Sequence, residues 1–115
     1  MTPPDLVKFI EHLRLPLNNE KELQAAFAHE LRRVDAGYAR EVSLGDGDII
    51  DFLIGDVGLE MKIKGQRMAI YRQCERYCGH DRLQALVLAT NVAMGMPAAI
   101  NGKPIFIASL GRAWL

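Results

Sequence analysis

Between Asp48 and Lys64 the chain reads Asp-Ile-Ile-Asp-Phe-Leu-Ile-Gly-Asp-Val-Gly-Leu-Glu-Met-Lys-Ile-Lys, and no other stretch limits the fold as strongly. Two apolar, strand-like runs flank Gly55-Asp56-Val57-Gly58, a turn composition, so the segment predicts a two-stranded hairpin. With Asp56 and Val57 at its tip, Ile54 faces Leu59, Phe52 faces Met61 and Ile50 faces Ile63. All three pairs are apolar, which assigns one face of the hairpin to a core. The opposite face then carries Asp51 across from Lys62, with Glu60 on the adjacent diagonal, about 7–8 Å away at the backbone. Two acids and a lysine on a half-buried face are unfavourable to keep for stability alone. They suit a site that binds a hard cation and activates water.

The chain has 115 residues, enough for one compact domain, and residues 1–115 are read as that single domain. Half the residues are hydrophobic and only 7% aromatic, so the core is expected to be mainly aliphatic. The formal net charge is zero, which argues against a protein held on nucleic acid by its global charge but leaves room for a local basic patch. The start Met1-Thr-Pro-Pro-Asp lacks a secretory pattern, and no apolar run is long enough to span a membrane. A cytoplasmic location is expected, with Cys74 and Cys78 reduced.

Pro3-Pro4-Asp5 opens a short amphipathic helix built on Leu6, Val7, Phe9, Ile10 and Leu13. Asn18 or Asn19 caps a second helix from about Glu20 to Val34, with the stripe Leu23, Phe27, Leu31 and Val34, ended by Asp35-Ala36-Gly37. Strands follow near 38–44, 48–54 and 58–64, then a helix near 66–78. The continuous apolar run 83–90 reads as a buried parallel strand, 91–102 as a loop and 103–109 as a last strand. The order α-α-β-β-β-α-β-β predicts an α/β fold, a mixed sheet flanked by helices.

From about Glu20 to Thr90 this arrangement resembles the PD-(D/E)XK superfamily of nucleases, whose fold is called restriction-endonuclease-like. Asp51 matches the family's first metal-binding aspartate, and Glu60-Met61-Lys62 its Glu-x-Lys signature. Glu20, in Glu-Lys-Glu-Leu-Gln24, matches the glutamate that starts the first core helix in archaeal-type Holliday-junction resolvases. Gln73, in Tyr-Arg-Gln-Cys-Glu-Arg-Tyr77, matches a glutamine on the helix after the lysine strand. The branch most resembled is the small VRR-NUC-type or phage resolvase-like group. The proline that gives the superfamily its name is absent, since Ile50 precedes Asp51.

The resemblance implies an endonuclease that hydrolyses phosphodiester bonds with Mg2+ or Mn2+, acting on DNA, with branched DNA as a candidate substrate. It implies Asp51, Glu60 and the carbonyl of Met61 as metal ligands, and Lys62 beside the attacking water. It adds Glu20 for a second metal or a bound water, and Gln73 to orient water or phosphate. Those residue types suit the chemistry, because hard cations take oxygen ligands and phosphodiester hydrolysis needs charge stabilisation and an activated water. Cutting two strands suits a homodimer, for which Met94, Met96, Ile100 and Trp114 are the apolar candidates. A non-catalytic nucleic-acid-binding or assembly module with the same fold is the other reading, and nothing in the chain separates DNA from RNA.

Bland roles stand beside these. Asp51 and Lys62 would also suit a cross-strand ion pair worth about 0.2–1 kcal/mol. Glu20 also suits the first turn of a helix, where the dipole favours acids, and Gln73 also suits a solvated helix face. The run from Met61 to Arg82 carries Lys62, Lys64, Arg67, Arg72, Arg76 and Arg82 against Glu75 and Asp81. Of these, Lys64, Arg67, Arg72 and Arg76 form either a phosphate-tracking ridge, which Arg32, Arg33 and Arg40 would extend, or a solvated face. Cys74, Cys78 and His80 lack a fourth zinc ligand, so buried helix cysteines are the better reading. His12 and His29 read as helix-surface residues.

Overall fold

Local signals in the sequence start the first two helices where expected, while the first stops before Leu13 and the second before Val34. The computed structural model describes every residue from Met1 to Leu115. Helix α1 (Pro3–Glu11) begins on a capping box: the Thr2 hydroxyl accepts the Asp5 N–H, and the Asp5 carboxylate accepts the Thr2 N–H. Helix α2 (Glu20–Arg33) is capped by Asn19, whose side-chain oxygen accepts the Glu22 N–H at 2.8 Å. Leu23, Phe27 and Leu31 are fully buried along α2, whereas Val34 stands outside the stripe, 49% exposed. The left-handed residue that follows α2 is Asp35 (φ 56°) rather than Gly37, a conformation that aspartate tolerates better than most residues.

Three antiparallel strands follow: β1 (Ala39–Gly45), β2 (Asp48–Ile54) and β3 (Val57–Lys62). Asp46 (φ 55°) and Gly47 (φ 80°) make the first turn, the positive-φ pair that matches strand twist in a tight hairpin. Helix α3 (Arg67–Tyr77) carries the chain to β4 (Ala85–Thr90), which lies parallel to β3. The short β5 (Ala99–Ile100) falls inside the segment expected to be a loop, and pairs antiparallel with β6 (Lys103–Ser109), which is parallel to β4. The sheet order is β1-β2-β3-β4-β6-β5, an α/β fold with a mixed six-stranded sheet. No helix is long and apolar enough to cross a membrane.

Both sheet faces are covered. Phe27, Phe52, Leu59, Met61, Val87 and Ala108 pack with α1 and α2 on one face. Ile70, Cys74, Tyr77, Leu83, Leu86 and Leu88 pack around α3 on the other. Strand β4 is buried at all six positions, which is why its sequence reads as an unbroken apolar run. Cys74 and Cys78 are free thiols in the α3 core, and burial pushes them up to about 12 and about 11.

The β2–β3 register differs from the expected one by two residues. Phe52 pairs with Leu59, Leu53 with Gly58 and Ile54 with Val57, so the tip is Gly55-Asp56, and the register extended past its last pair sets Asp51 against Glu60, not Lys62. Gly55 has φ 63°, and a glycine at the first central position makes a two-residue turn that fits strand twist. A slip of two keeps every residue on its face, so the apolar pattern alone cannot separate the two registers. The predicted pairing of Ile50 with Ile63 fails for another reason: Ile50 packs in the α3 cluster, opposite to Phe52, so alternation breaks at Asp51. Three of the four side chains expected at a dimer face are also taken up by packing. Ile100 is buried, and Met94 and Met96 pack against the α3 cluster, leaving only Trp114 of that set strongly exposed.

Candidate active site

The hairpin opens at its base. Beyond Phe52–Leu59 no further β2–β3 pair forms, so the next backbone N–H groups of β3 that point toward β2 need other acceptors. Carboxylates supply them. Asp51 Oδ2 accepts the Met61 N–H at 2.8 Å, and Glu20 Oε2, from the first residue of α2, accepts the Ile63 N–H at 3.3 Å. In return Glu60 Oε1 accepts the Asp51 N–H at 3.2 Å. The neighbouring strand deforms at the same level. Arg40–Phe52 and Val42–Ile50 pair on either side, but Glu41, which would face Asp51, sits at φ 51°. A non-glycine residue in that region within a strand is strained, a feature that gathers at functional sites.

Two carboxylates, Asp51 on β2 and Glu60 on β3, therefore meet in one wedge, with Glu20 of α2 two residues further along at Ile63. Lys62 Nζ lies 3.5 Å from Glu60 Oε2, with the Glu60 side chain 3% exposed and that of Lys62 23%. The electrostatics are unfavourable to two full negative charges. Burial first, and then the charge of Asp51, push the Glu60 carboxyl up to about 8, against the opposing pull of Lys62. Asp51 is also raised, chiefly by burial and further by Glu20, while the Met61 N–H and Lys62 pull it down. A carboxylate pair that cannot both ionise alone is a place where added positive charge is favoured. No three His, Cys, Asp or Glu side chains are grouped closely enough to hold a metal ion between them. The available donors are the two carboxylates and backbone oxygen. Because the N–H and C=O of one residue in an extended strand point to the same side, the Met61 carbonyl faces the Asp51 edge with its N–H.

Gln73 stands one step back. Its amide donates to the Tyr77 hydroxyl at 2.8 Å, and that hydroxyl donates to the Ile49 carbonyl at 2.9 Å. Tyr77 is buried and its phenol is pushed up, by burial first and then by the charges of Glu60 and Asp51. Gln73 thus braces the helix side of the site rather than touching the acids. Glu22, the other acid in the first turn of α2, is exposed.

The basic residues divide. Arg76 is held by Asp48 at 3.2 Å, which also binds His80 Nε2 at 2.9 Å; His80, with Arg76 second, keeps the Asp48 carboxyl low. Arg32 donates to the Tyr38 hydroxyl, Arg33 pairs with Glu30, and Arg40 donates to Gln24 while lying over the Phe52 ring. Lys64, Arg67 and Arg72 are exposed and take part in none of the ion pairs. Lys64 and Arg67 follow β3 directly, where the chain leaves Lys62 for α3.

Sequence reasoning missed Thr90 and Tyr77. Thr90, buried at the end of β4, donates to the Lys62 carbonyl at 2.6 Å and accepts the Val92 N–H at 3.0 Å, which fixes the strand end bearing Lys62. A single hydroxyl closing an apolar run was its only signal. The chain was compared with protein-family models, with curated proteins and with solved structures, and none of them matches it.

Proposed function

We propose that the chain is a metal-dependent nuclease with a restriction-endonuclease-like fold that hydrolyses phosphodiester bonds in DNA. One observation carries this reading: Asp51 and Glu60 meet beside Lys62 in the wedge where β2 parts from β3, with Glu20 at its outer end. The succession α2-β1-β2-β3-α3-β4, with the acids on β2 and β3, supports the fold assignment.

The donor set suits Mg2+ or Mn2+. Asp51, Glu60 and the Met61 carbonyl offer hard oxygen, and magnesium is bound through one or two carboxylates plus water and substrate phosphate rather than by a full protein cage. Such a cation supplies Lewis acidity toward water and phosphate oxygens. The chain's own residues do the rest. Lys62, beside Glu60, places an ammonium where negative charge grows during hydrolysis and donates a hydrogen bond to the attacking water. Glu20 holds the Ile63 N–H at the outer end of the wedge. Lys64, Arg67 and Arg72 lead DNA phosphates to the site. Branched DNA is the preferred substrate in this proposal, with two copies of the chain acting as a dimer on its two strands.

One observation favours a non-catalytic module. Each of the three carboxylates already satisfies a backbone N–H, which gives it a structural use. That use explains acceptors but not Lys62, nor a second ionisable carboxyl buried against the first. Incubation of junction, flap, single-stranded and linear DNA with the protein and Mg2+ or Mn2+ decides between them. Cleavage by the wild-type chain, absent in Glu60→Gln, is the expected result. Binding without cleavage of any of the four substrates would establish the module.

A further inference from the structure

A second feature lies along the same edge of the sheet. The parallel strands β3, β4 and β6 end level with one another, Lys62 beside Thr90 and Thr90 beside Ser109. Ligands of open α/β sheets bind outside these carboxyl ends. Two residues beyond Ser109, Gly111 (φ 88°) turns the chain into a 3-10 turn, Arg112–Trp114. There Trp114, Arg14, Leu15, Leu17, Asn18 and Gly111 line an open cavity of about 600 Å³. Asn18 stands two residues before Glu20, so the cavity begins within about 7 Å of Glu20, measured between Cα atoms.

The walls are held in place. The Trp114 indole N–H donates to the Leu15 carbonyl at 3.1 Å, which fixes the ring, yet the residue remains 55% exposed. Arg14 Nε donates to the Ala113 carbonyl at 2.9 Å, and its guanidinium carbon lies 5.7 Å from the Trp114 ring centroid. Arg14 makes no ion pair, so its charge is available. A fixed exposed indole, a guanidinium over one face of it with no acidic partner, apolar walls and the Asn18 amide are the groups that receive a base on the other face, its phosphate and its hydrogen-bonding edge.

We infer that this cavity seats one unstacked nucleobase of the strand being cut, stacked on Trp114, with Arg14 on the adjoining phosphate. The inference rests on the nuclease reading and adds a substrate class to it: DNA with an unpaired nucleotide next to the cut. Fully paired DNA has no base free to enter. The placement explains why an aromatic ring is left in water at the one edge where the carboxylates gather.

Trp114 is the only tryptophan, so its fluorescence reports on the cavity alone. The test titrates oligothymidylate of about ten nucleotides into the Lys62→Ala chain, following both Trp114 emission and the anisotropy of an end-labelled strand. Saturable quenching is expected, reduced when a single abasic residue is scanned through the strand. Trp114→Ala should weaken single-strand binding roughly tenfold, and Trp114→Phe, which keeps a ring, only a few-fold, with duplex affinity nearly unchanged in both. Circular dichroism confirms that each variant folds. Strand binding with unchanged Trp114 emission, or equal losses in the Phe and Ala variants, would overturn the base pocket, and no strand binding at all would do the same. Emission that shifts with protein concentration alone would give this face to a second copy and also overturn it. If wild-type protein cleaves DNA while Trp114 stays silent, the nuclease reading stands and the pocket falls. Quenching without cleavage of any substrate gives the reverse.

Discussion

Glu60 is a carboxylate in a place that opposes its ionisation, and that makes its protonation a measurable property. Its folded pKa, about 8, lies above the ordinary 4.5, so the neutral form is the one that suits the fold. The sign follows directly: the stabilisation is fully present below about 4.5 and is lost as pH rises through about 8. Thermal melts of metal-free protein across this window should show a falling Tm, and Glu60→Gln should flatten the fall. Mg2+ or Mn2+ should restore Tm at the alkaline end, since cation binding displaces the proton and affinity rises with pH. A wild-type Tm that rises over the same window would remove the buried-acid argument. Asp51→Asn and Glu60→Gln each keep an amide oxygen, so the bonds to the Met61 and Asp51 N–H groups survive while the capacity to ionise against a cation is lost. Cleavage should drop at least about a hundredfold in both and in Lys62→Ala, with unchanged circular dichroism. Wild-type rates in folded Asp51→Asn protein would sink the site.

At the scale of elements, Gly58 shows how tightly the hairpin is set against its neighbours. A Cβ there would lie 2.5 Å from Ile50 Cδ1 and 2.9 Å from a Leu83 methyl. Both side chains are fully buried, so neither swings away freely. Gly58→Ala should destabilise the chain by about 1–3 kcal/mol, measured by denaturant titration. The same residue contacts explain what the sequence made legible. Helix starts were readable because their signals are local: Pro3-Pro4-Asp5 and Asn18-Asn19 lie within one turn of the helices they open, though the Thr2–Asp5 box itself was not read. The strands were readable because burial on one face imposes a period of two. The register was not, since a period of two is blind to a two-residue slip and only the φ of Gly55 decides it. The change of side between Ile50 and Phe52 was hidden for a related reason. Both are apolar, and nothing in their identity says that the strand twists between them. Asp51 and Glu60 could be placed together from either register. Glu20 could be reached only through the family resemblance, because its bond to Ile63 spans 43 residues of chain.

For the whole molecule, a net charge of zero means that any hold on DNA must be local. The surface after Lys62 meets that condition unevenly. Arg76, read from sequence as part of a phosphate ridge with Arg72, is half-exposed but tied to Asp48, which joins α3 to the start of β2. Lys64, Arg67 and Arg72 have no such tie. Phosphate contacts act by releasing counterions, so each one removed lowers the slope of log affinity against log salt by about 0.9. Replacing Lys64, Arg67 and Arg72 by Ala in the Lys62→Ala chain should weaken DNA binding at low salt and reduce that slope by roughly two to three. Thermal stability should stay within about 0.5 kcal/mol, as expected for exposed side chains. Arg76→Ala should behave differently, lowering Tm with little change of slope, because it removes a partner from Asp48 rather than a contact to phosphate. Binding titrations over a salt series, run on duplex and junction DNA, separate the two. A slope unchanged in the triple variant would return these residues to plain solvation and move the DNA path to the Arg32, Arg33 and Arg40 side of the sheet. A slope that falls with Arg76→Ala instead would mean that the Asp48 pair opens when DNA arrives.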